Sequence, residues 1–573
     1  MKSLLQYIKQ YRKEAVLGPL FKLTEALFEL FVPLVVAEII DSGIAKGDKH
    51  IIYTHGMLMI ALGVIGFICA IIAQYFAAKA SVGFAANLRL ALYKKVSSSS
   101  YTDLDNIGTS TLMTRMTGDV NQVQTGVNMT LRLLLRSPFI VFGAMIMAFT
   151  VDAKSAIIFL VAVPVLSAIV AAIMKMTVPL YKRAQQYLDK LSLSTRESLK
   201  GVRVIRAFRK EQDEIESFNS YNDNLTSLQL FAGKISALMN PLTYIVVNSA
   251  VIAIIWLGGK RVYSGNLTPG AIIALYNYMS QILVELIKLA NMIMTLNKAL
   301  ASASRIDAVL TSQGYNETES DKNISFDKNA AVEFKNVSFK YEGAGEESLS
   351  NISINVKKGE RIGIIGATGS GKTTFVNLIA HLYGATSGAV AVNGRDVKDY
   401  PDKLLRKMMG IVPQKSVFFK GTIRENLLLG GKEASDEALM KAVIAAQAGD
   451  TVASKGGLDG EIEQNGRNLS GGQRQRLCIA RALVGEPEIL ILDDSASALD
   501  FATEAALRKA IASLPYKPTV FTVSQRVSSV MGCDRIIVLD DGNAVGIGTH
   551  SELLSSCPIY ADICQTQLDK EDM

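Results

Sequence analysis

Residues 366–373, Gly-Ala-Thr-Gly-Ser-Gly-Lys-Thr, put glycines, a lysine and a hydroxyl into one tight run. Glycine lets successive backbone N–H groups turn inward around phosphate oxygens. A lysine ammonium neutralises the outer phosphates of a nucleotide, and a threonine hydroxyl suits Mg²⁺. Lys372 and Thr373 stand in those places, with Ala367, Thr368 and Ser370 set among Gly366, Gly369 and Gly371, and with Thr374 directly behind. Farther along, the apolar run Glu488-Ile-Leu-Ile-Leu-Asp493 ends in a carboxylate suited to hold Mg²⁺ through water, and Asp494 follows it. These residue types point to binding of ATP with Mg²⁺ and to phosphoryl transfer.

The surrounding residues supply the elements that such a loop needs. Arg361-Ile-Gly-Ile-Ile has a strand pattern and runs straight into Gly366, and the residues after Thr373, Thr-Phe-Val-Asn-Leu-Ile-Ala, have a helix pattern. Strand, glycine loop and helix in that order are the context in which the motif is specific. The chain has 573 residues, of which 49% are hydrophobic, and a net charge of +7. The apolar residues gather in long runs before about residue 300, whereas the pattern after about 330 is that of a soluble α/β domain. A basic stripe with interleaved aromatics is missing, which argues against nucleic acid as a partner. Cys69, Cys478, Cys533, Cys557 and Cys564 have no metal-ligand spacing, and four of them fall in the soluble half, where reduced packing residues are expected.

Crossing a bilayer takes roughly 20 apolar residues as a helix. Six spans are predicted, at about 16–40, 55–78, 130–151, 154–177, 237–258 and 269–292, which makes residues 16–300 an all-α transmembrane domain. Residues 1–15, with Lys2, Lys9, Arg12 and Lys13, read as an amphipathic helix on the inner face and not as a cleavable signal. Two long polar stretches, 79–129 and 178–236, are rich in Lys and Arg and are expected as cytoplasmic arms. Within the spans, Lys22, Glu25 and Glu29 share one helix face. Asn240, Asn248, Asn277, Gln281, Glu285, Lys288 and Asn291 pose the same question in the last two spans: do they wall a transport cavity, or neutralise one another? Tyr276, Tyr278, Met279 and Trp256 could contact an apolar substrate, although packing or interface anchoring is the plainer role. Residues 301–330 read as a connector and 331–573 as the nucleotide-binding domain.

In this order, the motifs resemble those of the ATP-binding-cassette exporters over essentially the whole chain. Leu469-Ser470-Gly471-Gly472-Gln473 is similar to that family's signature, and Ser497-Ala-Leu-Asp500 to its cross-dimer loop. Tyr341 resembles the residue that stacks on adenine, and Gln414 the glutamine that touches Mg²⁺. Gly108, Arg115 and Asp119 match a first-arm pattern, and residues 197–208 a second. The resemblance implies six transmembrane helices followed by a P-loop α/β domain with a helical subdomain. It also implies arms tipped by coupling helices and a signature that closes on ATP held by another subunit. Two positions depart from the family: Asp494 stands where a catalytic Glu is usual, and Gln525 where a His is usual. Asp is one methylene shorter than Glu, and Gln can neither carry the imidazolium charge nor shuttle a proton. The expectation is therefore a weakly hydrolytic site in one half of a heterodimer, whose other, non-identical subunit carries the Glu and the His. Export of drugs or other amphipathic small molecules across a prokaryotic cell membrane, with the ATPase domain in the cytoplasm, is the leading reading. A lipid, peptide or metal-chelate carrier and an ATP-gated channel or sensor are the alternatives.

Overall fold

The computed structural model describes residues 3–312 and 326–567. The chain forms two compact units. Residues up to Ser98 group with Thr109–Ser312, while Ser99–Gly108 group with the C-terminal half.

The first unit is all helix. A short helical turn, Leu4–Tyr11, leads into α1 (Arg12–Glu38). Then come α2 (Lys49–Ser97), α3 (Tyr101–Ile107, part of the other unit), α4 (Thr109–Thr114), α5 (Val120–Leu133) and α6 (Arg136–Val151). The series ends with α7 (Ala153–Ala207), α8 (Glu211–Ala237), α9 (Met239–Tyr263) and α10 (Pro269–Thr311). Local chemistry sets several starts. The Asp48 carboxylate accepts from the N–H of His50 at 2.9 Å and heads α2, and Asp152 accepts from Ser155 N–H at 2.9 Å and heads α7. Thr268 caps α10, with Pro269 in its first turn, where a missing N–H costs nothing. The core between these helices is built from Ala26, Leu30, Ile140, Phe159, Leu166, Ile254, Tyr278 and Ile282.

Among the described residues, five helical stretches are long and apolar enough to cross a membrane: Lys49–Ser97, Thr109–Val151, Ala153–Ala207, Glu211–Tyr263 and Pro269–Thr311. These stretches contain five of the six predicted spans. The predicted span 16–40 falls largely in α1, where Lys22, Glu25 and Glu29 sit in any stretch long enough to span, so α1 does not reach the same apolarity. The predicted arms are largely continuations of the spanning helices: α2 runs unbroken to Ser97, and α7 to Ala207. The predicted connector at 301–330 needs correction. Its first part, through Thr311, is the end of α10, because Ala-Ser-Ala-Ser-Arg-Ile-Asp-Ala-Val-Leu keeps burying Ala303, Ile306 and Val309 at helical spacing. Residues 313–325 of that connector lie outside the described residues, as do residues 1–2 of the N-terminal helix prediction and 568–573 of the nucleotide-binding domain.

The second unit is α/β. A six-stranded sheet runs, in spatial order, Asn543–Gly548, Arg535–Asp540, Arg361–Ile365, Thr519–Val523, Ile489–Asp493 and Met409–Val412. All neighbours are parallel except the first pair. Central strands such as Ile489–Asp493 are buried throughout, which is why they read as unbroken apolar runs. An antiparallel sheet formed by Leu349–Lys357, Ala330–Phe339, Ser387–Val392 and Arg395–Asp396 packs on the same core, where Phe334 and Phe375 stack at 4.4 Å. A separate apolar core, with Leu439, Val443, Leu477 and Leu483, holds the helices around the signature.

Candidate active site

The phosphate loop joins the strand Arg361–Ile365 to the helix Lys372–Ile379. Gly371 takes φ +97° at the head of that helix, where L side chains are strained, and a Cβ there would lie 2.6 Å from Ser348 O. Ala367, Thr368 and Gly369 form the exposed crest, while Ser370 is buried behind them. The Lys372 ammonium donates to Gly366 O at 2.8 Å and to Ala367 O at 2.6 Å, which folds the loop around its own charge. Burial pushes the Lys372 pKa down, against the pull of Asp494 and Asp493. Gly371→Ala is expected to leave the domain folded and to weaken ATP binding at least about tenfold, because the loop N–H groups lose their alignment. Fluorescent-nucleotide titration checks this, and unchanged affinity would refute the role given to the loop backbone.

Asp493 ends its strand beside the loop, where it is 5% exposed, and its carboxylate accepts from the Thr373 hydroxyl at 3.2 Å. Burial pushes its pKa up, and Asp494 adds to the rise. A buried carboxylate held above its usual range, beside a hydroxyl, suits a divalent cation that would restore its charge. Thr373 and Asp493 therefore fit Mg²⁺, which would neutralise phosphate charge. Groups of three or more His, Cys, Asp or Glu side chains able to hold a metal are absent among the described residues. Gln414 sits exposed on the loop after the strand Met409–Val412.

Asp494 follows in a left-handed backbone, φ +46°. Its N–H donates to Val523 O at 3.0 Å, and its carbonyl accepts from the Ser497 hydroxyl at 3.1 Å. Gln525 is exposed on the loop after the strand Thr519–Val523. That loop is tied by Gln567, which donates to Gln525 O and accepts from Val527 N–H, each at 2.9 Å.

Ser470 heads the helix Gly471–Leu483, its hydroxyl accepting from Gln473 N–H at 3.3 Å while the Gln473 side chain accepts from Ser470 N–H at 2.9 Å. This reciprocal cap leaves the helix start ordered and its positive end presented. Leu469 is buried beneath it. Asp500 caps the next helix, Phe501–Ala512, accepting from Thr503 N–H at 2.7 Å. Tyr341 packs edge-on against Phe339 at 4.7 Å and Tyr383 at 5.3 Å, and its hydroxyl lies 3.2 Å from that of Thr374. Helix α3 reaches this aromatic group: Tyr383 donates to the Asp105 carboxylate at 2.6 Å, the Tyr101 ring lies 6.1 Å from that of Tyr383, and Asn106 donates to Glu342.

A strand, a phosphate loop and a buried carboxylate thus stand in one domain with a capped helix, and in sequence that domain follows a long helical unit. The family model of the ABC transporter transmembrane region matches residues 16–286, and that described as ABC transporter matches 349–497. The chain belongs to the ABC transporters. The uncharacterized ABC transporter ATP-binding protein YfiB of Bacillus subtilis is 36% identical over all of this chain and 99% of its own length. An ATP-dependent lipid A-core flippase of Desulfotalea psychrophila is 30% identical over 91% of each protein. A bacterial Atm1-family ABC exporter solved with ATP bound shares the fold, with a TM-score of 0.80 over 98% of this chain and 99% of that one at 20% identity. This ABC transporter chain, with its fused membrane and ATPase domains, is an ATPase whose activity drives transport.

The polar residues of the transporter's helical unit are brought together by one residue that sequence reading missed. Arg136 opens α6 and is 6% exposed. It donates to Glu285 of α10 at 2.5 Å and to Glu29 of α1 at 2.6 Å, and stands 3.9 Å from Glu25. Lys22 donates to Glu25 at 2.7 Å, Lys288 to Glu285 at 2.8 Å, and Ser137 to Glu285 at 2.7 Å. Three cations thus face three carboxylates, and Glu285, 2% exposed, is engaged by protein rather than open to a cavity. Gln281 donates to Glu29 O at 3.4 Å. Asn240 and Asn248 are exposed and Asn277 is half-buried. Tyr278 and Met279 lie fully inside the core, with the Tyr278 hydroxyl donating to Leu30 O at 2.8 Å, so neither is open to a substrate in this conformation; Trp256 and Tyr276 are exposed.

Proposed function

We propose that this chain is one half of a heterodimeric exporter of amphipathic small molecules. In this reading its own ATP site binds nucleotide and hydrolyses it slowly, and its signature closes on ATP held by the partner. The observation that carries the reading is Asp494 beside Gln525 in an otherwise complete site. The backbone of Asp494 is tied on one side to Val523 and on the other to Ser497, so the loop is held back from advancing to make up for the shorter side chain. Small misplacements of a general base cost about a hundredfold. Tyr341, Gly366–Thr374, Gln414 and Asp493 bind ATP and Mg²⁺, Leu469–Gln473 serve the partner's site, and Ser497 and Asp500 face the dimer contact.

Helix α1 serves as the sixth crossing. Its charges would be costly against lipid, at about 2.5–3.5 kcal/mol each on insertion scales, but they are met by Arg136 and by one another. The cluster balances three positive groups against three negative ones inside the protein, so it offers no uncompensated charge to a strongly ionic cargo. A lipid substrate is the second reading, favoured by the likeness to a lipid A-core flippase. The test is the ATPase rate of the chain alone and with its partner. A large rise on pairing that survives Asp494→Asn but not loss of the partner's catalytic Glu supports the proposal. Equal turnover by the chain alone, abolished by Asp494→Asn, refutes it. Uptake against a gradient into vesicles separates a pump from a gated channel.

A further inference from the structure

We infer that Gln475 is a positioning residue that links the two ATP sites to which this chain contributes. The inference rests on the reading that the signature serves ATP held by another subunit.

Gln475 lies in the second turn of the helix that Ser470 heads, and it is 7% exposed. Its carboxamide crosses to the loop that follows Asp494. Oε1 accepts from Ala498 N–H at 3.0 Å, and Nε2 donates to the Ser497 hydroxyl oxygen at 3.0 Å. A backbone N–H can only donate, so the amide orientation is fixed by that bond. The Ser497 oxygen must then accept from Nε2, which leaves its own proton for Asp494 O at 3.1 Å. The result is a one-way chain from signature helix to Gln475, to Ser497, to the backbone of the catalytic position. Arg526, next to Gln525, donates to Ser497 O at 3.1 Å and brings the fourth segment of the site onto the same residue.

Packing makes the link stiff. A Cβ on Gly472 would stand 3.2 Å from Ala498 O, and one on Gly471 3.4 Å from Ala498 Cβ. The signature backbone therefore rests against the loop that Gln475 holds, and a shift of one moves the other. Closure of the signature on the partner's nucleotide is in this way transmitted to Asp494 in this chain's own site, and the reverse.

The test uses the full-length transporter in lipid, with whichever subunit pairs with it. Gln475→Glu keeps the size and the bond from Ala498 but has no proton for Ser497, and Ser497→Ala removes the relay one step later. Each is expected to lower kcat for ATP about three- to tenfold while KM stays within about twofold, the share of a lost neutral hydrogen bond acting only during turnover. The double variant is expected to be no slower than the worse single one. Unchanged kcat in Gln475→Glu, a rise in KM alone, or multiplied losses in the double variant would each overturn the inference. Should Gln475→Glu fail to fold, Ser497→Ala must show the kcat loss by itself or the inference falls. Ser470→Arg is the separate control: turnover untouched by it would overturn the shared site, a different result from an inert Gln475.

Discussion

With Asp494→Glu and Gln525→His combined, the chain purified without a partner hydrolyses ATP about 10²-fold faster or more, the range that a general base and its alignment supply. The phosphate loop, the Asp493 carboxylate bonded to Thr373, and the capped helix behind Ser470 are already in place, so only the acid–base groups need restoring. Each single substitution gives less, since the carboxylate sets the attacking water and the imidazole supplies charge at the γ-phosphate. The left-handed backbone at 494 suits Asp better than Glu and takes back roughly 1 kcal/mol. The measurement is steady-state ATPase of the self-paired chain, with assembly checked by size. A well-assembled double variant no faster than the parent would mean that the slow step lies elsewhere, and the degenerate-site reading would be lost.

Arg136→Met destabilises the membrane domain by about 3–5 kcal/mol, the usual cost of leaving a buried charge unpaired. Glu285 is nearly inaccessible and would keep only Lys288 and Ser137, while Glu29 would lose its guanidinium. Thermal unfolding of the solubilised protein reads this as an early transition or a poor yield. Adding Glu285→Gln and Glu29→Gln should recover most of the loss, because the penalty belongs to the stranded charges and not to the missing arginine. Unaltered stability of Arg136→Met would show that the cluster is solvated and carries little energy.

The phosphate loop could be read from sequence because all its demands fall on eight consecutive residues, with the flanking strand and helix announcing themselves by periodicity. Leu469–Gln473 is likewise a run of consecutive residues, and the structure shows Ser470 and Gln473 capping the helix that begins there. Gln475 was not, since its partners lie 22 and 23 residues away and nothing local marks a glutamine one turn into a helix as a bridge. Arg136 was missed because pairing along one helix face relates Lys22, Glu25 and Glu29 only to each other, whereas Arg136 is 107 residues from Glu29 and 149 from Glu285. The charges that keep α1 from looking like a membrane helix are explained only once the helices that neutralise them are in view. The end of α10 was mistaken for connector because the polar stretch beyond Ser312 coloured the reading of the residues before it.

Helix α3 lies within the membrane half by sequence, yet it folds with the ATPase domain, held by Tyr383 and Glu342 and ended by Gly108 at φ +77°. The border drawn by residue number is therefore not the border of inheritance. A cassette exchanged between relatives must carry the seven residues Tyr101–Ile107 along with it. A graft cut only at the connector would unite a donor's aromatic surface with a stranger's helix and leave the partners of Asp105 and Asn106 unmatched.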